Sequence, residues 1–264
     1  MIELVRSHLF LQSLACVIVA SCCSFAAETR SAEVATCQPL TFERNDYVAC
    51  SVDLRRHDVQ MFWGSTNGKP FGTIDRFVRE IDPAVKQRLS FVMNAGMYEQ
   101  DLSPVGLFVV RGGEVTPANM AKGTGNFYWK PNGIFFVGDG QVGILETSLY
   151  LQRRPKTEYA TQSGPLLVVD GEIDSRILAS TRSQNIRNGV GIRDAGSAVF
   201  VISENPVSFA DFAKLFRDAL FCRDALYLDG VVSDLFIPAL NRMDRRSVVG
   251  PLVAVFARPQ GEAR

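Results

Sequence analysis

The chain has 264 residues, with 28 lysines plus arginines, 28 aspartates plus glutamates and only 2 histidines. Zero net charge without a basic run excludes an electrostatic surface for nucleic acid, and the shortage of histidine excludes histidine-rich metal clusters. Because 47% of the residues are hydrophobic, the chain can bury a sizeable core, and any catalysis would rest on carboxylate, amide, hydroxyl or arginine groups.

Residues 1–27 have the pattern of a secretory signal. Arg6 precedes an apolar stretch from Leu9 to Ala20, and small residues follow it. The stretch is about 12 residues long, whereas a membrane-spanning helix needs about 20, so we predict no transmembrane anchor. The mature chain would then keep one histidine, His57.

Two cleavage sites compete at the end of this segment. Ordinary cleavage among the small residues near Ala26 is favoured, and the alternative is a lipoprotein-type site that leaves an acylated Cys22. Both predict a periplasmic or secreted protein of the bacterial envelope. Residues 28–36 are expected to be a flexible mature amino terminus.

Cys37, Cys50 and Cys222 remain after ordinary cleavage. In an oxidising compartment the near pair can close a short loop, so we predict a Cys37–Cys50 disulfide with Cys222 free. The alternative is three buried thiols. The next polar run, Arg55-Arg56-His57-Asp58, is interpreted as solvated surface and not as a catalytic site.

The region between Thr73 and Leu89 is predicted to be helical, because its apolar residues fall on one side and Asp82-Pro83 can end one helix and begin another. A strand then ends at Met93 and is followed by a polar segment. That segment contains Asn94, Gly96, Tyr98, Glu99 and Asp101. It can hydrogen-bond a sugar, or it can be a structural turn.

Local hairpins are predicted wherever apolar runs flank glycine-containing turns. The turns are 111–114, 138–140, 170–171 and 194–196.

Two further segments lie between these hairpins. The first is Gln162-Ser163-Gly164-Pro165, which can be a ligand site or the entry to a strand. The second contains Arg182, Arg187 and Asn188, and the glycines beside Arg187 suggest the close approach of a phosphate. The alternative for the second is an exposed loop.

A second helical region begins at Ser208, which forms a predicted capping box with Asp211. Phe209, Phe212, Phe216 and Leu220 follow at helical spacing and are predicted to lie in the core. The strand from Ala225 to Leu228 then ends in Asp229-Gly230, with Ser233 beyond it. Asp229 can be a catalytic acid, or Asp-Gly can be a hairpin turn.

These elements predict an α+β fold with a single domain over residues 37–258, in which helices cover a largely antiparallel mixed sheet, and a carboxyl-terminal tail over 259–264. The sequence contains no phosphate-binding loop, calcium-binding loop or serine nucleophile elbow. We therefore predict no cofactor and no metal site.

Five motifs in this order resemble the phosphodiester glycosidase family, and in particular its bacterial envelope branch. They are NAGMY at Asn94, PNGIFF at Pro131, QSGPLLVVDGEI at Gln162, RNGVGI at Arg187 and ALYLDGVVSDL at Ala225. The resemblance covers about residues 37–258. It implies hydrolysis of a sugar 1-phosphodiester, the reaction by which the lysosomal uncovering enzyme of animals removes N-acetylglucosamine from mannose phosphodiesters.

The resemblance implies a site without histidine. We expect Arg187 to hold the phosphate, Asn94 and Gln162 to orient the sugar, and Asp229 to activate water or stabilise the developing cation. Asp101 or Glu99 would be the second carboxylate. The other expected contacts are Gly96, Tyr98, Ser163, Gly164, Arg182, Asn188, Gly230 and Ser233.

The chain departs from the enzyme branch of the family directly after Asp229-Gly230. Val231-Val232-Ser233-Asp234 replaces a glycine-rich run with paired serines, and Asp234 adds negative charge near the expected anion site. The alternative interpretation is therefore a non-catalytic module that binds an envelope glycan or its phosphodiester.

Overall fold

The computed structural model describes residues 35–65, 67–230 and 232–259, and within them all strand pairs are antiparallel. In chain order the strands are β1 (Thr36–Phe42), β2 (Asn45–Asp53), β3 (His57–Phe62), β4 (Leu89–Asn94), β5 (Phe108–Val110), β6 (Gly113–Thr116), β7 (Gly133–Gly138), β8 (Gln141–Glu146), β9 (Tyr159–Ser163), β10 (Leu166–Val168), β11 (Asn188–Asp194), β12 (Ser197–Ser203), β13 (Asp224–Asp229), β14 (Leu235–Ile237), β15 (Arg242–Met243) and β16 (Leu252–Ala257). The α-helices are α1 (Ile74–Glu80), α2 (Pro83–Lys86), α3 (Thr147–Arg153), α4 (Ser175–Leu178) and α5 (Phe209–Lys214). A π-helical turn, Leu215–Ala219, extends α5, and 3₁₀ turns lie at Asn126–Tyr128 and Pro238–Leu240.

The strands form three sheets. The first has the order β1-β2-β12-β11-β13-β10, the second β15-β14-β4-β16-β3, and the third β6-β5-β9-β7-β8. The predicted α+β class with antiparallel pairing and a single domain is confirmed, but the strands divide into three sheets where one was expected.

A common core lies where the three sheets meet. The ring of Phe200 on β12 is 5.5 Å from the ring of Phe91 on β4 and 5.6 Å from that of Phe135 on β7, measured between centroids. Each of these residues belongs to a different sheet, and none is more than 1% exposed. Each sheet therefore turns one face towards a shared apolar interior.

A helix covers the opposite face of each sheet. On the first sheet α5 begins with the predicted capping box between Ser208 and Asp211, and Phe209, Phe212, Phe216 and Leu220 are buried as expected. On the second sheet α1 packs through Phe77 and Val78. On the third sheet, Tyr150 of α3 contacts Phe136. The outer layer thus buries the second face of each sheet.

The predicted break at Asp82-Pro83 is confirmed. The Asp82 side chain accepts hydrogen bonds from the backbone N–H groups of Ala84 and Val85, and Pro83 is the first residue of α2. This is the arrangement in which an aspartate caps a helix and proline occupies a position whose N–H needs no partner.

Three of the four predicted hairpins are present, as β5–β6, β7–β8 and β11–β12. At Asp170-Gly171 the predicted turn is present, because Val169 and Glu172 form an antiparallel bridge across it. It does not extend into a hairpin of two strands, since the chain continues into α4 and β10 pairs with β13. The turn is tied to the start of β13 by a hydrogen bond from Asp170 N to Asp224 Oδ1 and by an Arg223–Asp170 ion pair.

The Cys37–Cys50 disulfide is confirmed. The two cysteines face each other across β1 and β2, with their Cα atoms 3.9 Å apart. Cys222 is free and buried, as predicted. Strand β1 begins at Thr36, within the segment that was expected to be flexible.

His57 corrects another expectation. It is only 5% exposed, so it does not belong to a solvated surface. Its Nδ1 accepts a hydrogen bond from Asp53 N at 3.0 Å, and it begins β3. The imidazole therefore stabilises the connection between β2 and β3.

The predicted signal segment, Cys22 and residues 260–264 of the tail lie outside the described residues. Among the residues that are described, no helix combines the length and apolar character needed to cross a membrane.

Candidate active site

Three residues at the ends of strands form a hydrogen-bonded cluster. Asn188, at the start of β11, donates through Nδ2 to Asn94 O at 2.8 Å and to Asn94 Oδ1 at 3.0 Å, where β4 ends. Its Oδ1 accepts from Asp229 N at 2.8 Å, at the end of β13. Both asparagines are at most 1% exposed. The cluster joins the first and second sheets and fixes the backbone of Asp229.

The third sheet reaches the same place through Ser163. Its hydroxyl donates to Leu228 O at 2.7 Å, directly before Asp229. The Asp229 carboxylate is 7% exposed, and its Oδ1 accepts a hydrogen bond from Gly230 N at 2.6 Å. A side chain at position 230 would overlap the Tyr227 hydroxyl, so glycine is required there. Strand ends from all three sheets thus meet at Asp229.

Tyr98 lies beside this carboxylate. Its pKa is raised to about 12, first by burial and then by the negative charges of Asp229 and Asp234. Its hydroxyl donates to Val248 O at 2.8 Å. A side chain on Gly250 would overlap the Tyr98 ring, so the segment before β16 packs directly against it. Tyr98 is therefore held protonated, with its hydroxyl bound to Val248 O and within the electrostatic influence of two carboxylates.

Asp234 is buried and anchors the far wall of the site. Its N–H donates to Asn94 Oδ1 at 3.0 Å, and its two carboxylate oxygens accept from Arg246 N at 3.1 and 3.2 Å. Burial raises the pKa of this carboxyl. The Asp234 carboxylate, which the sequence placed near an anion site, thus binds the backbone of the segment around Arg246.

Ser233 lies between the two aspartates. Its hydroxyl is 3.1 Å from Ile186 O and 3.4 Å from Asp229 O, so it connects the segment after β13 to the chain entering β11. Within the same segment, Val232 O accepts from Asn94 Nδ2 at 2.7 Å.

Arg187 is not at the phosphate-binding position that the sequence suggested. It is 0% exposed, and its guanidinium carbon lies 3.7 Å from the centre of the Phe209 ring. Nε donates to Val207 O at 2.9 Å and Nη2 to Ser183 O at 2.7 Å, while Nη1 has no hydrogen-bond partner among the described residues. Burial lowers its pKa. In this arrangement a substrate cannot touch the guanidinium.

The glycines that follow Arg187 also have a structural use. A Cβ atom on Gly191 would lie 2.5 Å from Cys222 Sγ and 2.6 Å from the Phe216 ring, and one on Gly189 would lie 2.9 Å from Leu226 O. The absence of side chains at these two positions lets α5 and the residues that follow it pack closely on β11, and leaves no space there for a phosphate.

Gln162 is likewise committed to the protein. Its Oε1 accepts from Leu107 N and Asn119 N, and its Nε2 donates to Asn119 O and Thr147 Oγ1. Since a carboxamide has two donors and two acceptor positions, no capacity remains for a sugar. Gln162 instead holds the segment between β6 and β7 against β9.

Other expected residues surround the site or lie away from it. Gly96 is buried and donates through its N–H to Thr161 Oγ1, and Gly164 packs against Asn132. Glu99 and Asp101 are exposed in a turn between Tyr98 and Pro104. Ser103 donates to Asp101 through both its hydroxyl and its N–H, which lowers the Asp101 pKa. Arg182 is exposed.

In the wall formed by Asp234, Arg246 and Val248, the sequence indicated only Asp234, and the position of Arg246 was missed. Its only signal is the pair Arg245-Arg246 before the last strand, which does not indicate which arginine lies near the site. Taken together, the site contains two buried carboxylates, of which Asp234 is bound by Arg246 N, together with a tyrosine, a serine and an arginine. These groups can stabilise positive charge at a sugar and recognise an anion.

Solved structures of other proteins have a similar fold. The catalytic domain of zebrafish N-acetylglucosamine-1-phosphodiester alpha-N-acetylglucosaminidase matches with a TM-score of 0.55 at 14% identity, over 84% of this chain and 82% of that one. A hypothetical protein from Synechocystis matches with a TM-score of 0.54 at 13% identity, over 84% of this chain and 61% of that one. The chain thus spans less than two thirds of the Synechocystis protein. At these identities the similarity shows a shared fold alone.

Sequence similarity is more specific. The uncharacterised protein YigE of Escherichia coli strain K12 is 34% identical over 189 residues, which cover 72% of this chain and 73% of that protein. The sequence profile described as phosphodiester glycosidase matches residues 87–253, a range that runs from β4 to β16 and includes Asn94, Asn188 and Asp229. The chain therefore belongs to the phosphodiester glycosidase family.

Proposed function

We propose that the protein is a hydrolase that cleaves the glycosidic bond of a sugar 1-phosphodiester in the bacterial cell envelope. Family membership supports a reaction of the glycosidase type. The observation that carries the proposal is the buried Asp229 carboxylate, which hydrogen-bonded strand ends from three sheets hold in one place. The name of the zebrafish protein points to an α-linked N-acetylglucosamine as the sugar.

The chemistry suits the groups in this site. The bond between the anomeric carbon and the phosphate oxygen breaks, its electron pair leaves with the phosphomonoester, and water supplies the new hydroxyl of the sugar. A phosphomonoester is a stable anion, so it needs less protonation than the alcohol released by an ordinary glycoside. The anomeric carbon becomes positively charged in the transition state. Asp229 stabilises this charge and accepts the proton of the attacking water.

The neighbouring residues have positioning roles in this proposal. Asn94 and Asn188 hold the Asp229 backbone, while Tyr98 and Ser233 line the space beside the carboxylate. Arg187 has a structural role, because its guanidinium packs on the rings of Phe209 and Tyr227. The second carboxylate expected at Asp101 or Glu99 has no part in the mechanism, because both lie in an exposed turn.

The test is hydrolysis of methyl N-acetyl-α-glucosaminyl phosphate by the wild-type protein and by Asp229→Asn. Because general acid–base groups contribute roughly 10²- to 10⁴-fold, we expect kcat to fall by about that factor in the variant. Asp224→Asn is the matched control, since Asp224 begins the same strand but lies away from the cluster. Its activity should stay close to that of the wild type.

Unchanged activity in Asp229→Asn would overturn the catalytic assignment. If the wild-type protein binds N-acetylglucosamine 1-phosphate but does not turn over the diester, the protein is a binding module.

A further inference from the structure

Arg246 is fixed at both its backbone and its side chain. Its N–H donates to the carboxylate of Asp234, which is 2% exposed, at 3.1 and 3.2 Å. Its Nη1 donates to Ser233 O at 2.6 Å and lies 3.3 Å from Asp244 Oδ2. A surface arginine usually samples many rotamers, whereas this one has lost much of that freedom before any ligand binds.

Two separate connections place Arg246 near Asp229. Ser233, whose carbonyl accepts from Arg246, has its hydroxyl 3.4 Å from Asp229 O. The carbonyl of Val248, two residues further along, accepts a hydrogen bond from the Tyr98 hydroxyl. The negative charge of Asp229 contributes to the raised pKa of this hydroxyl. Arg246 and the catalytic carboxylate thus belong to the same small region.

Part of the Arg246 guanidinium remains available. The side chain is 36% exposed, and Nε and Nη2 donate to no atom of the described residues. These two groups form one edge of the planar fork that binds two oxygens of a phosphate. Arg187, by contrast, has no exposed surface.

We propose that Arg246 binds the phosphate of the sugar phosphodiester through Nε and Nη2, and that Asp234 positions it. This inference rests on the proposed function and names the residue that recognises the anionic part of the substrate. It also explains how a chain with zero net charge attracts a phosphodiester, because the attraction is local. Asp234 then supports anion binding, since its carboxylate is occupied by backbone N–H groups.

The experiment compares two substrates that share the sugar and differ in the charge of the leaving group. They are methyl N-acetyl-α-glucosaminyl phosphate, which is anionic, and 4-nitrophenyl N-acetyl-α-glucosaminide, which is neutral. In Arg246→Gln we expect KM for the anionic substrate to rise about tenfold to a hundredfold, the range for losing hydrogen bonds to a charged group. The neutral substrate should be hydrolysed within about twofold of the wild-type rate, a change worth less than 0.5 kcal/mol.

Arg245→Gln is the matched control, because Arg245 is the adjacent residue and its guanidinium pairs with Asp75 instead. It should leave both substrates unaffected, and Arg246→Lys should restore part of the loss for the anionic one. An equal loss on both substrates in Arg246→Gln, or no loss on either, would overturn the proposal.

A binding measurement separates this inference from the proposed reaction. Calorimetric titration with N-acetylglucosamine 1-phosphate should show binding to the wild type and to Arg245→Gln, and weaker binding to Arg246→Gln. This result supports Arg246 even if the wild type hydrolyses neither substrate. No binding to the wild type, or equal binding to all three proteins, contradicts it.

Discussion

Asparagine is well suited to hold Asp229, because a carboxamide donates and accepts at the same time. Asn188 uses its N–H₂ group on Asn94 and its oxygen on Asp229 N, and so connects two sheets through one side chain. A carboxylate at position 188 would face the acceptors of Asn94 without a proton to share. The local geometry of Asp229 therefore depends on neutral groups.

Tyr98 gives the site a measurable dependence on pH. Its pKa is raised to about 12 by burial and then by Asp229 and Asp234, whereas an unfolded tyrosine titrates near pH 10. The unfolded chain therefore releases this proton first. The contribution of the hydroxyl to folding is fully present below about pH 10 and is lost as the pH rises from about 10 to 12.

We predict that the stability difference between the wild type and Tyr98→Phe is constant below about pH 9.5 and then decreases steadily towards pH 12. Urea unfolding at a series of pH values measures it. A difference between wild type and Tyr98→Phe that stays constant through this range would show that the pKa of Tyr98 is not raised in the folded protein.

At the level of single residues, the sequence predicted best where a polar residue directly follows a buried strand. Asn94 and Asp229 both do so, and both lie in the site. Arg187 and Gln162 occur in equally polar motifs, but their side chains are consumed by internal hydrogen bonds. Residue type alone does not show which partners a side chain finds, so these two roles could not be predicted.

Among the elements, β11 and α5 depend on each other. The strand presents glycine at positions 189 and 191, and the phenylalanines of the helical segment fill the space that side chains would otherwise occupy. The helical spacing of those phenylalanines was visible in the sequence. Their partner surface was not, because the strand lies some twenty residues earlier and its glycines resembled a ligand-binding motif.

Gly191→Ala tests this packing. The new methyl group would lie 2.5 Å from Cys222 Sγ and 2.6 Å from the Phe216 ring, so we expect a loss of about 1–3 kcal/mol in the free energy of unfolding. Gly113→Ala is the control, because its nearest neighbour would be Val110 O at 3.4 Å. Chemical denaturation compares the two variants. Equal free energies of unfolding for the two variants would mean that the helical layer does not pack closely against β11 at Gly191.

For the whole molecule, the division into three sheets is the feature that the sequence could not provide. Local patterns predicted strands and most turns, but the contacts among Phe91, Phe135 and Phe200 join residues far apart in the chain. The same contacts explain why motifs separated by more than a hundred residues meet at Asp229. If the sheets share one core, they should also unfold together.

The two tryptophans allow this to be tested, because they report on different regions. Trp63 follows β3 of the second sheet and donates through Nε1 to Leu102 O at 2.6 Å, while Trp129 lies 5.5 Å from Phe209, which covers the first sheet. Trp63→Phe and Trp129→Phe each leave a single fluorescent reporter. We predict that, in each of the two variants, the urea midpoint measured by tryptophan fluorescence equals the midpoint measured by circular dichroism.

Phe200→Ala should then destabilise the protein at both reporters at once. Removing a buried phenylalanine typically costs about 3–5 kcal/mol, and because Phe200 contacts the other two sheets, the loss should appear equally in the Trp63 and Trp129 signals. Phe221→Ala is the matched control, since Phe221 is 78% exposed and should change stability by less than about 0.5 kcal/mol. Separate midpoints for the two reporters in Phe200→Ala would mean that the sheets unfold independently, and that the site at Asp229 can be lost while part of the fold remains.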